Sequence, residues 1–197
     1  MAAGAAIALV VGLGNPGDRY AQTRHNAGFW FVDELARRYG GSFRSEKRFH
    51  GDVARISLPC GDCQLLKPTT FMNRSGLSVA SLAQFFRIAP ETILVAHDEI
   101  DLPPGTVRLK QGGGHGGHNG LRDIVPALGS PNFWRLRLGV GHPGHKDQVV
   151  NYVLDRPRQE EARLIDDMIA AAADQFPAMY QGEWVRVQNQ LHSRKAG

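Results

Sequence analysis

Residues Ile7 to Val11 form an unbroken apolar run closed by Gly12. A run this short, apolar at every position rather than at alternate ones, reads as a strand buried on both faces. Such a strand obliges the chain to provide helices on each side of a sheet. The pattern recurs at Ile93 to His97, and a further strand is predicted from Phe133 to Val140. Phe29, Val32, Leu35, Ala36 and Tyr39 recur at helical spacing and are stopped by Gly40-Gly41. Between residues 52 and 67, apolar positions alternate loosely around Gly61-Asp62, which reads as a hairpin turn. Ser75 is placed to cap a helix carrying Leu77, Val79, Leu82, Ala83 and Phe86, ending before Pro90. Thr106 to Lys110 reads as a strand, and a short helix follows the glycine-rich segment to about Leu128. The remainder reads as mostly helical, with Pro157 in a first turn and Leu164, Met168, Ile169 and Ala172 on one face. This order predicts an α/β fold, a single domain over residues 1–197. Its core is a twisted, mixed, largely parallel sheet with helices on both faces.

The 197 residues are 42% hydrophobic and 21% charged, which excludes disorder, collagen and coiled coil. A chain of this length buries roughly 70% of its unfolded surface and needs no covalent staple. The net charge of +4 permits an anionic partner without demanding one. Cys60 and Cys63 lie in the hairpin, without the strand-to-helix setting of a redox dithiol or the further ligands of a zinc site. They read as structural, in a reducing compartment. Met1 to Ala6 carries no basic residue and the apolar run ends at Gly12, so neither a signal peptide nor a membrane span is expected.

Gly12-Leu13-Gly14-Asn15-Pro16-Gly17 satisfies the dinucleotide fingerprint G-x-G-x-x-G. That fingerprint needs a helix opening at the glycines, its N-terminus facing a pyrophosphate. Here the helix is delayed to about Asn26, and Asp33 and Glu34 fall inside it. The turn instead aims Asn15 outwards at a strand's C-terminal end, where open α/β sheets place their ligands. Other junctions are equally polar: Tyr20, His25 and Asn26; Asn73 after Lys67-Pro68; His97-Asp98-Glu99; and His118-Asn119-Gly120. Taken singly, Asn73 and Asn119 read equally well as turn or capping residues. His25 is a candidate general base, with Asp98 holding its other nitrogen. No nucleophile elbow is present, so water is the expected nucleophile.

His115-x-x-His118 and His142-x-x-His145 have metal-ligand spacing, but the glycines and Pro143 around them oppose the helical geometry that would aim both rings at one ion. Neither a metal nor a cofactor is expected. Arg108 with Lys110, and Arg135 with Arg137, sit two apart on strands, so each pair projects from one face. Such rows suit a phosphate clamp as well as a solvated sheet face. The six glycines from Gly112 to Gly120 allow close approach of a large ligand, or a mobile lid.

Val11 to Gly17, Tyr20, Thr23 to Asn26, Lys67 to Asn73, His97-Asp98-Glu99, Gly112 to Gly120 and Gly141 to Gly144 together resemble bacterial peptidyl-tRNA hydrolases over nearly the whole chain. The resemblance implies hydrolysis of the ester joining a peptide, or an N-blocked aminoacyl group, to the 3′ ribose of tRNA, recycling tRNA during translation. It implies a catalytic His25 that takes a proton from water, and Asp98 that orients it. It groups Asn15 with them, as the residue that tells blocked from unblocked aminoacyl-tRNA. Tyr20, Phe71, Met72, Asn73, Gly116 and Asn119 match substrate-binding positions, and Lys110 and Arg137 match a clamp for the tRNA 5′ phosphate. Arg108 falls where relatives carry lysine. A cytoplasmic monomer is implied, with tRNA as transient partner, no obligate protein partner and no membrane attachment. Two alternatives stay open: an RNA-binding protein without catalysis, which has no need of the His25–Asp98 pair, and a metal- or nucleotide-dependent enzyme.

Overall fold

The computed structural model describes residues 6–196. Met1 to Ala5, and with them most of the N-terminal reading, lie outside the described residues. The strands are β1 (Leu9–Gly12), β2 (Arg44–Glu46), β3 (Gly51–Leu58), β4 (Gly61–Pro68), β5 (Ile93–Glu99), β6 (Val107–Gln111) and β7 (Trp134–Gly139). They form one sheet in the order β2-β3-β4-β1-β5-β7-β6. The four central strands β4, β1, β5 and β7 run parallel, and antiparallel pairs close both edges. The expected mixed α/β sheet is therefore present, with its parallel part at the centre. No helix among the described residues is long and apolar enough to cross a membrane.

Leu9 and Val11 pack with Leu66, Ile93, Val95 and Phe133 under α2 (Ser75–Phe85) and α3 (Asn119–Leu128). Val10 packs on the other face with Leu94, Ala96, Leu136 and Leu138 under α1 (Ala27–Tyr39) and the C-terminal helices. Those are α4 (Val149–Val153), α5 (Gln159–Asp174), α6 (Phe176–Tyr180) and α7 (Trp184–His192). Each large apolar side chain buried this way stabilises the fold by roughly 1.5–3 kcal/mol, so the unbroken run at β1 is paid for on both faces. Helix α1 ends where predicted, on Gly40 in the left-handed conformation (φ 70°).

Close backbone contact fixes the N-terminus of α1. A Cβ on Gly28 would lie 2.4 Å from the Ala96 carbonyl oxygen and 2.5 Å from the Leu13 nitrogen. Only glycine lets the helix start rest on the ends of β1 and β5, and this delivers the preceding turn to the strand ends.

Several local expectations are corrected. The hairpin tip is Pro59-Cys60, because β3 and β4 pair as far as Leu58 with Gly61. That register lays Ile56 against Cys63 on the buried face and puts Gly61-Asp62 just past the turn. Ser75 is the first residue of α2, not its cap: its hydroxyl donates to the Met72 carbonyl at 2.7 Å. The Asp123 carboxylate of α3 accepts from the Gly76 N–H at 2.7 Å instead. Leu77 and Phe86 are exposed, unlike Val79, Leu82 and Ala83. Pro157 stands two residues before α5, where Glu161 accepts from the Arg158 N–H at 3.1 Å.

Candidate active site

The C-terminal ends of β1 and β5 meet a single 3₁₀ turn, Arg24–Asn26, that leads into α1. Arg24 anchors the turn. Its guanidinium is buried, donates to the Tyr152 carbonyl at 2.9 Å, pairs with Glu161 at 3.2 Å and lies 3.8 Å over the Tyr152 ring. On the other side, Asn26 exchanges two hydrogen bonds with the backbone of Asn15, at 2.9 and 3.0 Å. His25 is thus held between two fixed neighbours.

The glycine fingerprint serves packing. A Cβ on Gly14 would meet the Phe29 ring at 2.8 Å, and one on Gly12 the Gly28 carbonyl oxygen at 2.3 Å. The glycines admit α1, and the helix that a pyrophosphate would need at this turn begins only at Ala27.

His25 Nδ1 lies 3.0 and 2.9 Å from the two carboxylate oxygens of Asp98. Asp98 is 3% exposed. Burial by itself would lower the proton affinity of His25, but the charge and hydrogen bond of Asp98 outweigh it and hold the imidazole above its ordinary value. Burial would likewise raise Asp98, yet the imidazoles of His25 and His118 hold its carboxyl well below the usual range. Asp98 is therefore a fixed anion, and Nδ1 of His25 donates to it. Nε2 is left as the ring nitrogen with a lone pair, on a side chain that lines a cavity of about 660 Å³.

Nine predicted residues line that cavity: Asn15, Tyr20, His25, Phe71, Met72, Asn73, Asp98, Gly116 and Asn119. Asn15 Oδ1 accepts from the Met72 N–H at 2.8 Å, tying the first loop to the turn after β4 and leaving its amide N–H groups for a ligand. Asn73 and Asn119 are exposed and their side chains have no hydrogen-bond partner among the described residues, so neither is a cap. The Tyr20 and Phe71 rings meet edge to face, with centroids 6.3 Å apart, and Phe71 is 58% exposed. Gly116 (φ +58°) and Gly117 (φ +83°) hold the loop in a left-handed turn that carries it past the cavity.

The basic rows divide. Arg108 pairs with Arg137 and Lys110 with Arg135 across β6 and β7, so all four start from one face of the sheet. Arg135, however, is 0% exposed: it donates to the carbonyls of Gly114 and of Pro131 (3.1 Å) and lies 4.5 Å over Phe133. It ties the glycine loop down and cannot reach a phosphate in solution. Arg108 bonds the Val107 carbonyl at 2.9 Å. Lys110 and Arg137 stay accessible but do not line the cavity. Arg137 lies at its border, bonded at 2.9 Å to Glu99, which does line it.

Two contacts went unread in the sequence. His118, noted there at a polar junction and as half of a metal-spaced pair, places Nε2 2.8 Å from Asp98 Oδ1. His97 is buried, with Nδ1 2.8 Å from the Asp98 carbonyl and Nε2 without a partner. Burial foremost, then the neighbouring His118, hold His97 down at about 3. The distant residues Val149, Val150, Val153 and Leu154 supply an apolar wall that no spacing announced.

His25, Asp98 and His118 form the one cluster among the described residues able to hold a metal ion. Its donor set fits poorly. His118 Nδ1 accepts from Gly120 N–H at 3.1 Å and Leu121 N–H at 3.4 Å, so Nε2 carries the proton and has no lone pair for an ion. The metal-spaced pairs do not converge: His115 Nδ1 accepts from Gly117 N–H and His142 Nδ1 from Gly144 N–H, each at 2.9 Å. Cys60 is exposed and Cys63 buried, both free, and burial pushes the Cys63 thiol up to about 12.

A family model described as peptidyl-tRNA hydrolase matches residues 9–197. A relative of that name from Halorhodospira halophila is 64% identical over 185 residues, covering 94% of this chain and 95% of its own. Another from Alkalilimnicola ehrlichii is 61% identical over 189 residues, 95% and 96% of the two chains. The crystal structure of peptidyl-tRNA hydrolase from Acinetobacter baumannii superposes with a TM-score of 0.94 at 52% identity, over 96% of each chain.

Proposed function

Since the chain belongs to the peptidyl-tRNA hydrolase family, we propose that its cavity performs that family's reaction, hydrolysis of the ester between a peptide and the 3′ ribose of tRNA. The observation that carries the reading is the bond from His25 Nδ1 to Asp98, which leaves Nε2 as a base beside a cavity large enough for an acylated ribose. A water on Nε2 loses its proton as its oxygen bonds to the ester carbonyl carbon. The tetrahedral intermediate then breaks its bond to the ribose oxygen, which takes up a proton, and the free peptide and tRNA leave. Asp98 stabilises the imidazolium formed between the two steps. A positioned base of this kind accelerates hydrolysis by about 10²–10⁴-fold.

Asn15, Asn73 and Asn119 supply carboxamides that bond peptide backbone without regard to side chain. Tyr20, Phe71, Met72 and Gly116 shape the same wall, and Lys110 and Arg137, outside the cavity, hold the tRNA 5′ phosphate. The reading includes a single catalytic domain acting as a cytoplasmic monomer, and peptidyl-tRNA as the nucleic-acid partner.

An unblocked aminoacyl group presents an ammonium where a peptidyl group presents an amide, and we assign to Asn15, on the cavity wall, the role of telling them apart. The test is the ratio of kcat/KM for N-acetyl-aminoacyl-tRNA and free aminoacyl-tRNA in wild type and Asn15→Ala. A ratio well above one that collapses in the variant is expected; an unchanged ratio removes Asn15 from this role. No release from the N-acetylated substrate by wild type overturns the function itself.

A further inference from the structure

We propose that His118 is a positioning residue for the His25–Asp98 pair: its imidazole joins the N-terminus of α3 to Asp98 and weakens the hold of that carboxylate on the proton of His25. The inference deepens the hydrolase reading and rests on it for the role of His25.

The tautomer follows from the contacts. His118 is the N-cap of α3, and its Nδ1 accepts from the Gly120 and Leu121 N–H groups at 3.1 and 3.4 Å. An acceptor nitrogen carries no proton, so the proton is on Nε2, 2.8 Å from Asp98 Oδ1. A second proton on Nδ1 would break both cap bonds at the positive end of a helix. His97 is excluded as well, since its Nδ1 is spent on the Asp98 carbonyl and its Nε2 is enclosed. Of the three imidazoles in contact with Asp98, only His25 offers a ring nitrogen to the cavity.

Asp98 therefore receives two N–H donors while 3% exposed, and Oδ1 is shared between His25 and His118. Each donor disperses charge on the carboxylate. Without His118, Asp98 pulls harder on the His25 proton, and less of the base is free at neutral pH. The other ionisable groups lining the cavity with His25 are Glu99 of β5, Arg122 of α3, Tyr20, and His142 and Lys146 beyond β7. On the α4 side, the Glu161 carboxylate engages Arg24, the Tyr152 hydroxyl donates to the Val140 carbonyl and the Asp155 carboxylate accepts from the Arg156 N–H. None of these bonds Asp98.

Two substitutions separate the roles of the ring. His118→Asn keeps an acceptor at the Nδ1 position, a good helix cap, and loses the donor to Asp98. His118→Gln reaches Asp98 with an amide N–H and loses the cap. The acid limb of kcat/KM for N-acetyl-aminoacyl-tRNA is expected to move up by about one pH unit in the Asn variant, and to return towards wild type in the Gln variant. An acid limb unmoved in the Asn variant, which keeps the cap and lacks the donor, shows that the bond to Asp98 does not tune His25 and overturns the proposal. Imidazole ¹⁵N NMR on the wild-type protein reads the tautomer without activity or a variant that must fold. A neutral His118 protonated at Nε2 is expected, and a proton on Nδ1 overturns the proposal. These spectra keep their meaning even if the wild type releases no acyl group.

Discussion

Acidification should destabilise this protein chiefly through His97. In the fold its ring is enclosed and held down at about 3, whereas in the unfolded chain it titrates near 6.5. Below that value the unfolded state binds a proton that the folded state refuses, so stability falls as pH falls, through a window from about 6.5 towards 3. Each pH unit inside the window is worth about 1.4 kcal/mol, so by pH 5 the loss from this one residue reaches roughly 2 kcal/mol, a sizeable part of the ~5–15 kcal/mol that a domain possesses. His97→Asn removes the titration while an amide N–H can still donate to the Asp98 carbonyl that His97 Nδ1 contacts. His25 works the other way in both proteins: held above its ordinary value, it contributes stability that is full below 6.5 and lost as pH rises through its folded value. Asp98, held low, contributes stability that is lost only in stronger acid. The comparison of the two proteins therefore isolates His97. Urea unfolding at pH 7, 6 and 5 should show wild type losing about 2 kcal/mol more than the variant over the two units. Parallel losses in the two proteins would mean that His97 does not titrate on unfolding in this window.

Gly28→Ala forces a methyl group against the Ala96 carbonyl oxygen and the Leu13 nitrogen, backbone atoms that cannot swing aside, and should cost about 3 kcal/mol or more; an unchanged Tm would deny the close approach. Lys110→Ala and Arg137→Ala should each reduce the slope of log Kd for tRNA against log salt by about 1, and slopes equal to wild type would remove the clamp. Asp98→Asn deletes the charge that holds His25 up, so the acid limb of the rate should move to lower pH and the rate should fall by about 10²-fold or more; a wild-type profile would contradict the assignment.

What was legible in the sequence is what local pattern controls. The run at β1 admits only a doubly buried strand, and Gly40 marks the end of α1 directly. The site followed in part, because strand ends and helix starts are where chemistry gathers in an open α/β sheet, and His25, Asp98 and three asparagines stand at such junctions. Edge strand β2 was missed because Arg44–Glu46 is three largely exposed residues with no apolar pattern. The hairpin tip was misplaced because Gly61-Asp62 has turn chemistry while facing packing decides the register. Arg135 and Arg137 look equivalent by spacing, yet the loop after β6 covers one and leaves the other at the border of the cavity. The contact of His118 with Asp98 spans 20 residues of chain and depends on how α3 docks, which no spacing encodes.

Acyl release from N-acetyl-aminoacyl-tRNA, with and without chelator, in wild type and His25→Ala, decides whether His25 held by Asp98 activates water. Wild type should release the acyl group at a rate that chelator leaves unchanged. The variant should lose about 10²–10⁴-fold, with folding and tRNA binding retained. A wild type that binds tRNA without releasing the acyl group, or a His25→Ala variant that releases it at the wild-type rate, would contradict that role of His25.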